Sequence, residues 1–466
     1  MSESLLLDAA PGILPSIDPD FRPMITGIKN YRAAVGKFPS HQKLVIGLER
    51  EAGLVSRYEM QIAPPDSALW PDTIRLVERI IKFLLWARGG WKVIIGGPEE
   101  LAREIKTIYS PTGARAFDYH FMGKIYEHTF EVVHCAPESV PPEKTESSPL
   151  GGHLKGCRIG FDLGASDYKV SAVIDGVSVW ADEFPWNPKD EPNPDFHYEH
   201  ITKGLKEAAG KMPRVDAIGG SSAGVIINNR IRAASLFRAV PDDVFAQKVA
   251  GIFGQLAREW GVPVEVANDG DVTALAGSLS LGENAMLGIA MGSSLAAGYL
   301  NAEGLLTGWL NELAFVPVDL SLNAAPDEWS GDIGCGVQYF SQQGVIRLAK
   351  LAGVALDESR SVPERLKQVQ EIMKMGDANC ANIYEAIGIC LGYTLALYTE
   401  FYDYRHVLIL GRVTTGTGGD IMISKAKEVL AAEFTGLDGK IHLLVPDEKS
   451  RRVGQAVAAA SLPNLN

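Results

Sequence analysis

The chain is poor in features that would mark several common classes of protein. It has five cysteines, Cys135, Cys157, Cys335, Cys380 and Cys390. Their number is odd and no two stand at metal-ligand spacing, which points to reduced thiols and a cytoplasmic setting rather than a disulfide framework or a Cys-based zinc site. No run of lysines and arginines offsets the net charge of -13. Such a balance repels phosphate backbones, so no nucleic-acid partner is expected. The longest uncharged apolar run, Ala386 to Thr399 between Glu385 and Glu400, falls short of the roughly 20 residues needed to cross a bilayer. It reads as a buried core helix, with no membrane partner. Residues Met1 to Pro23 carry acids and prolines instead of a basic start followed by an apolar stretch, so no signal peptide is expected there.

With 466 residues and 46% hydrophobic content, the chain can build two or three domains with real cores. Residues 136–156 are rich in Pro, Ser and Gly and read as a linker. They separate an N-terminal accessory α/β domain, 1–135, from a larger body. In that body, Arg158–Asp162 and Lys169–Ile174 suit a hairpin, and Val215–Ile218 a strand entering Gly219-Gly220-Ser221-Ser222. Pro241-Asp242-Asp243 starts an amphipathic helix with Phe245, Val249, Ile252, Phe253, Leu256 and Trp260 on one face. Strands alternating with helices indicate an α/β fold. Ile46-Gly47-Leu48-Glu49 and Val93-Ile94-Ile95-Gly96-Gly97 echo Ile159-Gly160-Phe161-Asp162 and Ala217-Ile218-Gly219-Gly220, so the first domain reads either as a degenerate half-copy or as a chance likeness.

Two small-residue turns and one helix start carry the chemistry. Asp162-Leu163-Gly164-Ala165-Ser166 and Gly292-Ser293-Ser294 each end an apolar strand, and backbone N–H groups in such turns are donors to phosphate oxygens. Asn268-Asp269 opens a helix and Glu312 closes the stretch. Phosphoryl transfer needs mainly positioning and charge neutralisation. Asp269 can take a proton from a hydroxyl, and Asp162 can hold Mg²⁺ through water. Each motif also has a plain structural reading: Asn268 and Asp269 as helix caps, the two turns as ordinary hairpins, Glu312 as a solvated charge.

In this order, the motifs resemble the ROK family of sugar kinases and sugar-responsive regulators, within the actin/hexokinase-like superfamily. Asp162-Leu163-Gly164-Ala165-Ser166 is similar to its first phosphate motif, and Met291-Gly292-Ser293-Ser294-Leu295 to its second. Val264–Gly277 resembles the segment that carries its base, Asn311-Glu312-Leu313-Ala314-Phe315 its Gly-Glu-x-Gly-His, and Gly331–Cys335 the end of its zinc motif. Leu410-Gly411 occupies its adenosine turn, and Val453–Val457 resembles its closing helix. The resemblance implies a two-lobed actin/hexokinase-like (ribonuclease H-like) fold: a first lobe at 157–272 completed by a C-terminal helix at 451–463, and a second lobe at 273–450. It implies an ATP- and Mg²⁺-dependent sugar kinase, forming a homodimer, with Asp269 as base. Asn268, Glu312 and Gly224 would bind the sugar; Asp162, Gly164, Ser166, Gly292, Ser293, Ser294 and Gly411 would bind the nucleotide and its phosphates.

The chain also departs from the family. Its zinc-ligand cysteines become Glu328 and Ser330 and its zinc-ligand histidine becomes Phe315, leaving Cys335, so no zinc site of that type is expected. A sugar-binding glutamate becomes Val337, and glycines at the two nucleotide turns become Ser294, Leu295, Ala296, Arg412 and Val413. These losses motivate the alternative of a non-catalytic sugar- or ligand-binding or regulatory protein. The DNA-binding variant is disfavoured because residues 1–130 show no helix-turn-helix with a basic recognition helix.

Overall fold

The computed structural model describes residues 6–38, 40–145, 150–165, 167–445 and 448–465, with the side chains of 448–453 left aside. Ser166, one of the expected phosphate-binding residues, lies outside the described residues. Three sheets organise the fold. The first contains β1 (Gln42–Glu49), β2 (Val55–Ile62), β3 (Lys92–Gly96) and β4 (Glu131–Cys135), in the order β2-β1-β3-β4. The second contains β5 (Cys157–Leu163), β6 (Asp167–Ile174), β7 (Val177–Pro185) and β8 (Ala217–Ser222). After a small ribbon of β9 (Val225–Ile227) and β10 (Arg230–Ala233), it is completed by β11 (Val264–Asn268), giving the order β11-β8-β5-β6-β7. The third contains β12 (Met286–Met291), β13 (Leu295–Leu300), β14 (His406–Leu410) and β15 (His442–Leu444), in the order β13-β12-β14-β15. With its helices this is the mixed α/β, actin/hexokinase-like architecture.

The first sheet does not repeat the second. β1 pairs with β3 antiparallel, whereas β5 pairs with β8 parallel, so the matching tetrapeptides belong to different topologies and the half-copy reading fails. The segment read as a linker also docks: Val140 is buried against Val45 and Ile94 of the first sheet, and Lys144 bridges to Val55. One continuous apolar core joins residues of the N-terminal sheet and its helices, such as Leu76, Ile80 and Trp86, to residues of the third sheet and its helices, such as Leu287, Ile289 and Tyr398. The second sheet has its own core around Ile159, Phe161, Leu205 and Phe253.

The strand expected to end at Ile218 continues through Gly219-Gly220-Ser221-Ser222. The reason is packing: a Cβ on Gly219 would stand 1.7 Å from the Ala459 carbonyl oxygen, and one on Gly160 1.9 Å from that of Ala456. The C-terminal helix, Glu448–Ala460, therefore lies directly on the strand backbones. The expected amphipathic helix after Pro241 is broken into Asp242–Val244, a π-turn at Phe245–Val249 and Ile252–Trp260. The Ala250 N–H reaches back to the Phe245 carbonyl at 2.9 Å. The π-turn keeps Val249, Ile252, Phe253 and Leu256 buried, and such turns recur at functional sites. The apolar core helix extends over Ala378–Tyr398, longer than its uncharged run. By length and composition alone it could cross a membrane, but 83% of its most apolar window is buried inside the fold.

Candidate active site

Asp162, Ser221–Ser222 and Asn268 end three adjacent parallel strands, in register as Asp162↔Ser221 and Asn268↔Ser222. β11 runs straight into the Asp269–Leu281 helix, with Asn268 as its N-cap: the Asn268 side-chain oxygen accepts the Gly270 N–H at 2.8 Å, and its amide donates to the Gly224 carbonyl at 2.9 Å. The capping role is thus real, and it fixes the next residue at the mouth of the helix. A close approach sets the helix against the second lobe, since a Cβ on Gly270 would lie 2.1 Å from the Ala297 carbonyl oxygen on β13.

Gly224, Asn268, Asp269, Ser294 and Glu312 line one cavity of about 630 Å³, within the size range of small-ligand sites. Desolvation raises the Asp269 pKa to about 6, with the Asp162 charge adding to the shift. Glu312 is raised to about 8, first by burial and then by the charges of Asp269 and Asp271. Asp271 is raised to about 7 by burial, although it accepts from the Asn311 amide at 2.9 Å and the Tyr299 N–H at 3.3 Å. Crowded carboxyls without a cation among them disfavour simultaneous ionisation. Glu312 is therefore mostly a neutral acid at pH 7, able to donate as well as accept.

These shifts make a testable statement about stability. A carboxyl whose folded pKa lies above its unfolded value keeps its proton longer in the folded state, so stability falls as pH rises through that interval. For Glu312 the interval runs from 4.5 to about 8. Glu312→Gln should match wild type in melting temperature near pH 4.5 and exceed it progressively up to pH 8. A difference that stays constant across pH in a calorimetric series would contradict the neutral-acid assignment.

Asp162, Gly164, Gly292, Ser293 and Gly411 lie outside this cavity's lining. Asp162 accepts the Ser221 hydroxyl at 2.7 Å, and its pKa is raised chiefly by burial. In the hairpin after β5, the Gly164 N–H is tied to the Asp167 carbonyl at 3.0 Å and its carbonyl accepts the Trp186 indole N–H at 2.9 Å. Gly292 and Gly411 follow the paired strands β12 and β14. Gly411, at φ 107°, sits so close that a Cβ would come within 2.2 Å of the Met291 carbonyl oxygen. Ser293 and Ser294 are exposed at their turn. Arg412 begins a single 3₁₀ turn whose carbonyl accepts from the Gln370 amide at 2.9 Å.

The N-terminal domain enters the site, which the sequence reading did not foresee. Trp86, Phe121 and Lys124 line the cavity with Trp329 and Phe315. The carbonyls of Trp86 and Ala87 accept the N–H groups of Glu312 and Asn311, each at 3.0 Å, so the Trp70–Arg88 helix holds the Glu312 loop by its backbone. Where the resemblance has a zinc-binding histidine, Phe315 packs tilted against Trp86, ring centroids 4.4 Å apart. Below it lies a buried ion network. Lys82 contacts Asp118 at 2.9 Å and Asp332 at 3.2 Å, and Arg79 contacts Asp332 at 3.0 Å and Glu78 at 2.7 Å. Arg115 bonds Glu78 and Asp332 as well. Burial opposes the charge on Lys82, yet Asp118 and Asp332 hold its pKa above the ordinary lysine value. Cys335 is buried beside Asp332, 3.8 Å from its Oδ2, and burial pushes its thiol pKa up. Among the described residues no group of three or more His, Cys, Asp or Glu is placed to hold a metal ion.

The two-lobed α/β architecture with this helix-start carboxyl at the cleft defines an actin/hexokinase-like fold. Its solved counterparts are ROK family proteins. They include a ROK family glucokinase from Streptomyces griseus in complex with glucose and AMPPNP, 20% identical with a TM-score of 0.50 over 65% of this chain and 99% of that one. A ROK hexokinase from Thermus thermophilus is 19% identical, with a TM-score of 0.50 over 65% and 98%. A ROK family transcriptional regulator, described as a homolog of the E. coli MLC protein, is 16% identical, with a TM-score of 0.54 over 66% and 79%. No sequence-defined family and no curated protein matches the chain. At these identities the likeness establishes the fold; kinases and a regulator share it.

Proposed function

We propose that the chain is a ROK-like ATP-dependent kinase that phosphorylates a sugar hydroxyl in the cleft around Asp269. The observation that carries this reading is the Asp269 carboxyl, raised to about 6 and opening on a cavity with Asn268, Gly224 and Glu312. A base poised near neutrality is suited to general-base work. As the sugar oxygen bonds to the γ-phosphorus, its proton passes to Asp269, the bond from that phosphorus to the β-bridging oxygen breaks, and ADP leaves. Neutral Glu312 donates its O–H to a sugar oxygen and accepts from a neighbouring hydroxyl. The small-residue turns at Gly164, Gly292-Ser293-Ser294 and Gly411 would flank the nucleotide. Asp162, with one oxygen taken by Ser221, suits a water-mediated hold on Mg²⁺, which supplies charge neutralisation when bound. The glucose and AMPPNP held by the Streptomyces griseus neighbour support this reading by analogy of fold.

A second reading, a non-catalytic sugar- or ligand-binding or regulatory protein, is favoured by Phe315 and Val337. Both pack into the apolar core at positions where the resemblance has sugar ligands. Thermal denaturation with millimolar Mg-ATP separates the two. A functional nucleotide site held at about 100 times its Kd stabilises by about 2.7 kcal/mol, a rise of several degrees in Tm. A rise with sugars but none with Mg-ATP would reject the kinase.

A further inference from the structure

The cavity has two unlike walls. One is polar and carries Asn268, Asp269 and Glu312; the other is aromatic and carries Trp86, Phe121 and Trp329. The aromatic wall is assembled from distant parts of the chain: Trp86 from the Trp70–Arg88 helix, Phe121 from the Ala116–Tyr126 helix, and Trp329 from the loop between β13 and β14. Trp86 is fully buried and stacks on Phe121 at 5.0 Å. Trp329 is 54% exposed, yet its ring is held edge-on by Phe117 at 5.0 Å and Phe121 at 5.1 Å, and tilted against Phe315 at 5.0 Å.

Its loop is equally fixed. The Ser330 N–H donates to the Asp327 carboxylate at 2.6 Å and the Gly331 N–H to the Asp327 carbonyl at 2.9 Å. Three residues past the indole, Asp332 is clamped by Lys82, Arg79 and Arg115 in the buried network. An exposed indole set in a rigid frame at a ligand cavity loses little freedom on binding, which is the condition for a strong stacking platform. Against such a wall a hexose can lay one C–H face, while its hydroxyls gain no hydrogen bond from the rings themselves. An aromatic group would meet rings with which it packs edge-on or offset.

We infer that the ligand of this cavity is a sugar bearing an aromatic substituent. Its ring substituent stacks on Trp329 and Phe121 while its hydroxyls meet Asn268, Asp269 and Glu312. The N-terminal domain is then the part of the chain that selects the substituent. This rests on the reading of Asn268, Asp269 and Glu312 as the sugar-binding end, and the test separates the two.

Isothermal titration calorimetry on the full chain compares hexoses and N-acetylhexosamines with their phenyl glycosides of both anomeric forms. At least one phenyl glycoside should bind wild type about tenfold or more tightly than its parent sugar. Trp329→Ala, which also gives up the packing on Phe117, Phe121 and Phe315, should stay folded and bring the two within about threefold. Trp329→Phe should keep most of the preference. Parent sugars and phenyl glycosides binding wild type within threefold of each other would overturn the aromatic-substituent inference and leave the sugar-binding reading standing. Binding of neither class would overturn both.

Discussion

Asp269→Asn is expected to lower kcat by about 10²–10⁴ while changing the ligand Kd by less than about threefold. The first range is the contribution of a positioned general base; the second follows because the amide keeps the size of the carboxyl and its acceptor toward the Gly270 N–H at 3.0 Å. The pH dependence should change with it. In wild type, kcat should rise through an ionisation near pH 6, the value set by burial and the Asp162 charge, and level off above it. The variant should lack that limb, because its amide does not titrate in this range. Burst or steady-state kinetics with a sugar panel would check both. Equal turnover by variant and wild type, or no phosphoryl transfer by wild type to any acceptor, would sink the catalytic assignment of Asp269.

The second large effect is on stability. Lys82→Met should destabilise the fold by about 3–5 kcal/mol, the range for stripping one partner from a buried ion pair. Lys82 is completely buried and its ammonium lies between Asp118 and Asp332, themselves 2% and 4% exposed at the side chain. The loss leaves both carboxyls without their shared cation. Asp118 keeps only the Trp86 indole N–H, at 2.5 Å, and Asp332 keeps Arg79 and Arg115. Guanidinium chloride unfolding would measure the change. A loss below about 1 kcal/mol would show that the remaining arginines suffice to neutralise the cluster.

Part of the site could be read from the chain because its signals are local. Asn268 and Asp269 are adjacent and sit at a helix start, where residue type and position reinforce each other. Glu312 follows in the same stretch, and the structure gathers all three about one cavity. The aromatic wall was not readable. Trp86 and Phe121 reach the cavity through tertiary packing, from a domain whose own helices account for their apolar periodicity, so nothing in their neighbourhood sets them apart from core residues. The same limit appears in smaller form at Gly219-Gly220. Local chemistry ends the strand at Ile218, while the real demand is the carbonyl of a residue some 240 positions away pressing on the strand. The π-turn at Phe245–Val249 leaves the apolar face of its segment almost unchanged, so a helical pattern could not reveal it.

The N-terminal sheet and the third sheet share one core, and the second sheet has its own. Val225 of the ribbon is buried in the shared core, and the ion pairs and hydrogen bonds beside it include Lys124 to Asp242, Arg232 to Glu51 and Glu127, and Asn228 to Glu51. All of them are polar, and the first pair is largely exposed. Lys124, Arg232 and Asp242 of this clasp line the cavity. Dissolved ions weaken it by screening, so the mouth of the cleft answers to the ionic composition of the surroundings even though its floor is made of buried carboxyls and rings.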